Sequence, residues 1–131
     1  MKIHALRLQP GDDLRASLEA YARVRCQGAA FVLTTVGSLR TARLRYANSP
    51  EATALDGFFE ILSLAGTLSR DGAHLHMALA DERGTMWGGH VLSGCMVYTT
   101  AEIVLGEEEA LVFRRELDPA TGYGELAVKP S

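Results

Sequence analysis

Cysteine is scarce in this chain: Cys26 and Cys95 lie far apart and form no C-x-x-C spacing. A chain of 131 residues can build a core without a disulfide, so both thiols are expected reduced and buried. Long apolar runs are also missing. Segments such as FVLTTVG and IVL fall well short of the roughly 20 residues that a membrane-spanning helix requires. The N-terminal MKIHALRLQPGDD lacks the continuous apolar stretch and cleavage site of a secretory signal, and is read as the first strand of a cytoplasmic protein. There is no basic excess either. With 13 Lys and Arg against 16 Asp and Glu, the net charge is −3, so nucleic acid would have to be met by a local patch rather than a global field. No P-loop, nucleotide-binding glycine pattern or Ser-His-Asp order specifies a reaction. Aromatic residues make up 7% of the chain, and Trp87 is the one tryptophan, placed either to line a pocket or interface or to anchor the core.

What is present is the composition of an ordinary globular protein, 47% hydrophobic and 22% charged, with no repeat, linker or low-complexity tract. A single domain over residues 1–131 is expected. Residues 2–9 alternate imperfectly, as a strand does. After the Pro10-Gly11 break, Asp12 is placed to cap a helix whose face carries Leu14, Leu18, Tyr21 and Ala22, ending near Gly28. Strand-like runs then follow one another: 31–39, 41–47, 58–69, 74–82, 91–106, 110–118 and a short one over 125–128. NSPEATALDG reads as a loop, the Asp-Gly of RDGA marks a hairpin turn, and Glu107-Glu108-Glu109 marks a solvated turn. The fold class is α+β: a largely antiparallel sheet of about six to seven strands with one main helix packed on it.

The segment HLHMALADERGTMWGGH holds three of the four histidines. On a strand, positions i and i+2 share a face, so His74 and His76 project together while Leu75 and Met77 face the core. Gly84 and Gly88-Gly89 would let the backbone turn sharply and bring His90 back beside them. Three neutral imidazoles suit Zn²⁺ and leave a fourth tetrahedral position for water or a small-molecule ligand, although other imidazole-accepting metals also fit. The alternative is an exposed strand face with His90 an unrelated turn residue.

Three acids, Glu60, Asp81 and Glu102, are candidates to orient an imidazole or to act as a general base at such a metal; a strand glutamate paired with an arginine is the blander account of Glu60. Arg40, Arg43 and Arg45 form the densest basic cluster. They are a candidate DNA contact, or else a solvated strand face with Ala42, Leu44 and Tyr46 turned inward.

Taken in order, LQPGDDLRASLEAYA, VGSLRTARLR, FFEILSLAGTLS, HLHMALADERGTMWGGHVLSGCMVYTTAEIVL and TGYGEL resemble the plants-and-prokaryotes-conserved (PPC) domain, a domain of unknown function, over nearly the whole chain. The resemblance implies an α+β domain that assembles as a homotrimer. It also implies that His74, His76 and His90 match metal-binding histidines of stand-alone prokaryotic relatives, with Zn²⁺ first among the candidate ions. In plant relatives the domain follows AT-hook segments that enter the DNA minor groove, and a Gly-Arg-Phe-Glu-Ile-Leu run contacts protein partners. Here that run is Gly57-Phe58-Phe59-Glu60-Ile61-Leu62, with Phe58 in place of the arginine, and the sequence contains no AT-hook. The leading expectation is a homotrimeric protein that binds a metal or small ligand in a binding or regulatory role. A DNA-associated regulator and a metal-dependent enzyme are the alternatives.

Overall fold

Pro10-Gly11 ends the first strand, β1 (Lys2–Leu8), and Gly11 turns the chain with φ +88. The helix α1 (Leu14–Arg25) follows where its apolar spacing predicts. Its cap is Asp13 rather than Asp12. The Asp13 carboxylate accepts the Ala16 backbone N–H at 3.0 Å and that of Gly94 at 2.7 Å, whereas Asp12 closes the preceding turn by accepting the Gln9 N–H at 2.8 Å. A capping side chain reaches the orphan N–H two or three residues further on, and Ala16 stands third after Asp13. Leu14, Leu18 and Ala22 are buried beneath the helix.

A computed structural model describes all residues, Met1–Ser131. After the helix come β2 (Ala29–Arg45), β3 (Ala52–Ser69), β4 (Gly72–Asp81), β5 (Met86–Val91), β6 (Met96–Glu108), β7 (Leu111–Leu117) and β8 (Gly124–Pro130). The first six form one sheet in the order β1-β6-β2-β3-β4-β5, and β7-β8 form a separate hairpin. All pairings are antiparallel. The α+β class, the single helix and an antiparallel sheet of six strands are as expected, and the β7–β8 hairpin adds a second small sheet.

The differences have local causes. The runs read as 31–39 and 41–47 form one strand, β2, in which Gly37 lies close against Thr100 and Ala101, where a Cβ would collide. Its register shifts between Leu39 and Thr41 against both neighbours, and also between Val32 and Thr34 and between Gly37 and Leu39 against β6. Part of the expected loop NSPEATALDG is strand, since Ala52, Thr53 and Ala54 pair with Arg45, Leu44 and Arg43. The segment expected as one strand over 91–106 is two, divided at Gly94 with φ +108.

β5 pairs with β4 and also with the end of β2, through Leu44 opposite Val91 and Arg45 opposite His90. Strands β2, β3, β4 and β5 therefore close on themselves at one end of the sheet. The core beneath is mostly aliphatic, with Leu14, Leu18, Leu39, Leu44, Leu75 and Leu79 fully buried. At about 1.5–3 kcal/mol per buried large aliphatic side chain, these residues dominate the stabilisation.

The acidic triplet is not a solvated turn as a whole. Glu107 is 0% exposed near the end of β6 and faces inward. Its Oε2 accepts the backbone N–H groups of Gln27 and Gly28 at 2.7 Å each, and its Oε1 lies 2.8 Å from His4 Nε2. Those two amides follow the helix and precede β2, so they need an acceptor, and buried backbone donors are rarely left without one. Both cysteines are free, Cys95 buried and Cys26 half-buried.

Candidate metal centre

The hairpin predicted at Arg70-Asp71-Gly72-Ala73 forms, with Ser69 opposite Gly72. It starts β4 in the phase that buries Ala73, Leu75 and Met77 and turns His74 and His76 outward together. His76 pairs directly with His90 on β5, and His90 pairs with Arg45 on β2. Residues paired across adjacent strands share a face, so the three imidazoles meet. Their ring centroids lie 5.1 Å apart for His74 and His76, 5.2 Å for His74 and His90, and 5.8 Å for His76 and His90. One nitrogen from each ring lies within 4.8 Å of the others. That spacing lets small side-chain rotations bring all three onto one ion at the roughly 2.0–2.1 Å of a zinc–nitrogen bond.

The glycines reach this result by a different route from the one expected. The sharp turn between β4 and β5 uses Gly84, with φ +77. Gly88 and Gly89 sit inside β5, where an added Cβ would lie 2.9 Å from the Met77 carbonyl and 2.9 Å from the Arg45 carbonyl, respectively. Their role is close approach: a strand without side chains at these positions fits between β4 and β2. Gly66, opposite Leu75 on β3, has φ +146, and a Cβ there would strike the His74 carbonyl.

The electrostatic setting favours neutral imidazoles. Burial, then the charges of Arg45 and His74, lower the His90 pKa to about 4. Burial, then Arg115 and His76, place His74 below its ordinary value as well. A neutral imidazole is the form that ligates metal, so no proton has to leave His90 at neutral pH.

The three candidate acids lie elsewhere. Glu60 is exposed on β3 opposite Ala80, five residues along the strand from Ala65, the partner of His76, or roughly 17 Å away. It makes no ion pair with an arginine. Asp81 organises the β4–β5 turn, accepting the N–H groups of Arg83 and Thr85 at 2.9 Å and the indole N–H of Trp87 at 3.2 Å. Trp87 is thereby held at the sheet edge, 37% exposed. Glu102 is exposed on β6 opposite Arg7 and Val36. The carboxylate beside His74 is instead Glu125 of β8, which sequence reading did not single out.

The basic cluster also divides. Arg40 pairs with Asp56 at 3.1 Å, donates to the Gly57 carbonyl and stacks over Phe58, 4.5 Å from its centroid. Arg43 and Arg45 share one face of β2 while Ala42 and Leu44 are buried, as their alternation predicts. Arg43 is exposed, and Arg45 lines the histidine hollow.

A second group, His4, Cys26 and Glu107, also brings potential ligand atoms within 4.8 Å of one another. Its chemistry is that of a structural network. Burial and Glu107 push the Cys26 thiol up to about 11, away from the ligating thiolate. The Glu107 carboxylate already accepts two backbone amides and faces His4 Nε2, while His4 Nδ1 lies 3.0 Å from the Tyr21 hydroxyl.

With this geometry established, comparison with known proteins assigns the fold. The family model of the Plants and Prokaryotes Conserved (PCC) domain matches residues 1–109. The chain belongs to this family. A hypothetical protein of Salmonella enterica of known structure is 43% identical and superposes with a TM-score of 0.95, covering 98% of this chain and 94% of that one. A protein from Archaeoglobus fulgidus described as metal-containing is 28% identical with a TM-score of 0.79, covering 97% of this chain and 94% of that one. The bifunctional protein GlmU of Synechococcus sp. is 51% identical over 130 residues, which is 99% of this chain and 21% of GlmU. The chain thus spans about a fifth of the curated relative's length. The family match ends before the β7–β8 hairpin, so Arg115 and Glu125 lie outside it.

Proposed function

We propose that this PCC-domain protein binds a divalent transition metal, Zn²⁺ first, through His74, His76 and His90, and that its role is binding or regulation. The observation that carries this reading is the convergence of three imidazole nitrogens from two adjacent strands within 4.8 Å of one another. The description of the 28%-identical Archaeoglobus fulgidus protein as metal-containing supports it. Three histidines would leave a tetrahedral ion one open position, which suits an exchangeable ligand. Glu60, Asp81 and Glu102, the acids first considered as a base, all stand away from the imidazoles, and the carboxylate near them is Glu125.

Elemental analysis of the purified protein beside a His76→Ala variant tests the reading. About one metal ion per chain is expected in the native protein and far less in the variant; equal and negligible metal in both would end it. Self-association as a homotrimer belongs to the same proposal, supported by the exposed apolar residues Val36, Leu62 and Tyr98, which a second copy would cover.

A second reading, contact with DNA, rests on Arg43 and Arg45, which share a face of β2 and pair with no carboxylate. Binding to duplex DNA should then weaken steeply as salt rises, and no binding even at low salt removes it.

A further inference from the structure

The histidine centre opens into a cleft of about 530 Å³ between the closed end of the main sheet and the β7–β8 hairpin. That volume lies in the range of small-molecule sites, about 300–1,000 Å³. Its walls carry His74 and His90 together with Arg15, Arg45, Arg115 and Glu125. Each arginine comes from a different element, so the cleft exists only in the folded chain.

The three guanidinium groups are not equivalent. Arg15 is committed: its Nη1 donates to the Val91 carbonyl at 2.7 Å and its Nε to Glu19 at 3.2 Å. Arg115 donates one N–H to Thr67 Oγ1 at 2.9 Å, and Thr67 is the residue opposite His74. Arg45 lies opposite His90. Neither Arg45 nor Arg115 pairs with a carboxylate. Of the two acids in the cleft, Asp71 is already engaged by Arg114 Nε at 2.7 Å and by the Arg115 backbone N–H at 2.9 Å. Glu125 is left as the one uncommitted carboxylate. Guanidinium groups without a carboxylate partner on both flanks of a three-histidine site are arranged to take an oxyanion, for which their fork of donors is matched.

We infer that the cleft binds a small organic anion, with one of its oxygens on the open metal position and its carboxylate or phosphate group held by Arg45 and Arg115. The inference rests on the metal reading above and names the ligand class of that same site. It also gives the hairpin a task. Asp71 pins the middle of β7 and so positions Arg115, while β8 brings Glu125 to the wall, where its charge repels an anion and keeps the ligand's charged end on the arginine side. Residues beyond the family match would then set which anion is taken.

The test uses the full chain loaded with Co²⁺, whose visible absorption reports a change of ligand at the metal. Co²⁺ uptake is measured first for the native protein, His76→Ala and each cleft variant, and the loaded proteins are then titrated with inorganic phosphate and with malonate at constant ionic strength. A saturating spectral change is expected with at least one probe, and the stronger of the two tells a phosphate site from a carboxylate site. Arg45→Gln and Arg115→Gln should each weaken that probe about tenfold, the loss expected for one charge-assisted contact. Glu125→Gln should tighten it, the opposite sign. Equal affinity in the native protein and both arginine variants overturns the inference while leaving the metal reading intact, as does a loaded centre that responds to neither probe. Failure of Co²⁺ to bind, or equal uptake by His76→Ala, instead takes down the metal reading and this inference with it.

Discussion

At the scale of single residues, burial and partners decide what an ionisable group does, and two groups show this with separable pH signatures. Glu107 is fully buried. Burial alone would raise its pKa, but the N–H groups of Gly28 and Gln27 and the contact with His4 outweigh it and hold the carboxyl below its ordinary value. A carboxyl whose folded pKa is lowered contributes stability that is fully present above the unfolded value of about 4.5 and is lost as pH falls through the folded one. Glu107→Gln should therefore flatten the acid limb below about pH 4.5 and cost roughly 3 kcal/mol at neutral pH, read by chemical denaturation across pH. His90 acts in a higher window. Its pKa falls from 6.5 to about 4 on folding, so the unfolded chain takes up a proton that the folded chain refuses between those values. The metal-free protein should lose stability as pH falls from 6.5 toward 4, and His90→Gln should remove part of that slope. Neither Glu107 nor His4 stood out in the sequence, because a glutamate in an acidic triplet has the signature of a turn. Its burial is set by two amides some 80 positions away in the chain.

At the scale of elements, close backbone approach and turn chemistry position the histidines. Gly66→Ala imposes a side chain at φ +146 and against the His74 carbonyl. The backbone conformation alone should cost about 1–3 kcal/mol, measured as a lower denaturation midpoint, and metal affinity should fall because His74 moves. The hairpin β7–β8 depends on a different contact. Asp71→Ala removes the acceptor for Arg114 and for the Arg115 backbone, so hydrogen exchange should accelerate over Leu111–Leu117 while the β4 amides stay protected. The hairpin turn at Asp71-Gly72 and the shared face of His74 and His76 were legible, since both follow from period-two alternation and a two-residue turn signal. The role of Gly88-Gly89 was not. A glycine pair looks the same in sequence whether it bends the chain or admits a neighbouring strand.

At the scale of the whole molecule, β5 pairs with β2 as well as β4, and this closure makes the histidine hollow. Closure brings Arg45 beside His90, and the β7–β8 hairpin places Arg115 beside the partner strand of His74. The outer face of the sheet keeps Val36 at 63% and Leu62 at 53% exposure. If three copies meet there, light scattering after size-exclusion chromatography should give three times the 14.2 kDa chain mass, and Val36→Asp with Leu62→Asp should shift it to one. A native mass equal to one chain would remove the trimer.

The sequence by itself determined the α+β class, the helix, the inward Ala42, Leu44, Leu75 and Met77 and the shared face of His74 and His76, because all of these depend on local periodicity and turn chemistry. Tertiary structure alone decided that His90 faces His76, that Glu107 is a buried acceptor, that Glu60, Asp81 and Glu102 stand apart from the imidazoles, and that Arg15, Arg45, Arg115 and Glu125 share one cleft. The physical reason is register. Which residues lie opposite one another across strands distant in sequence is set by how the whole sheet packs and closes, and no local pattern carries that information.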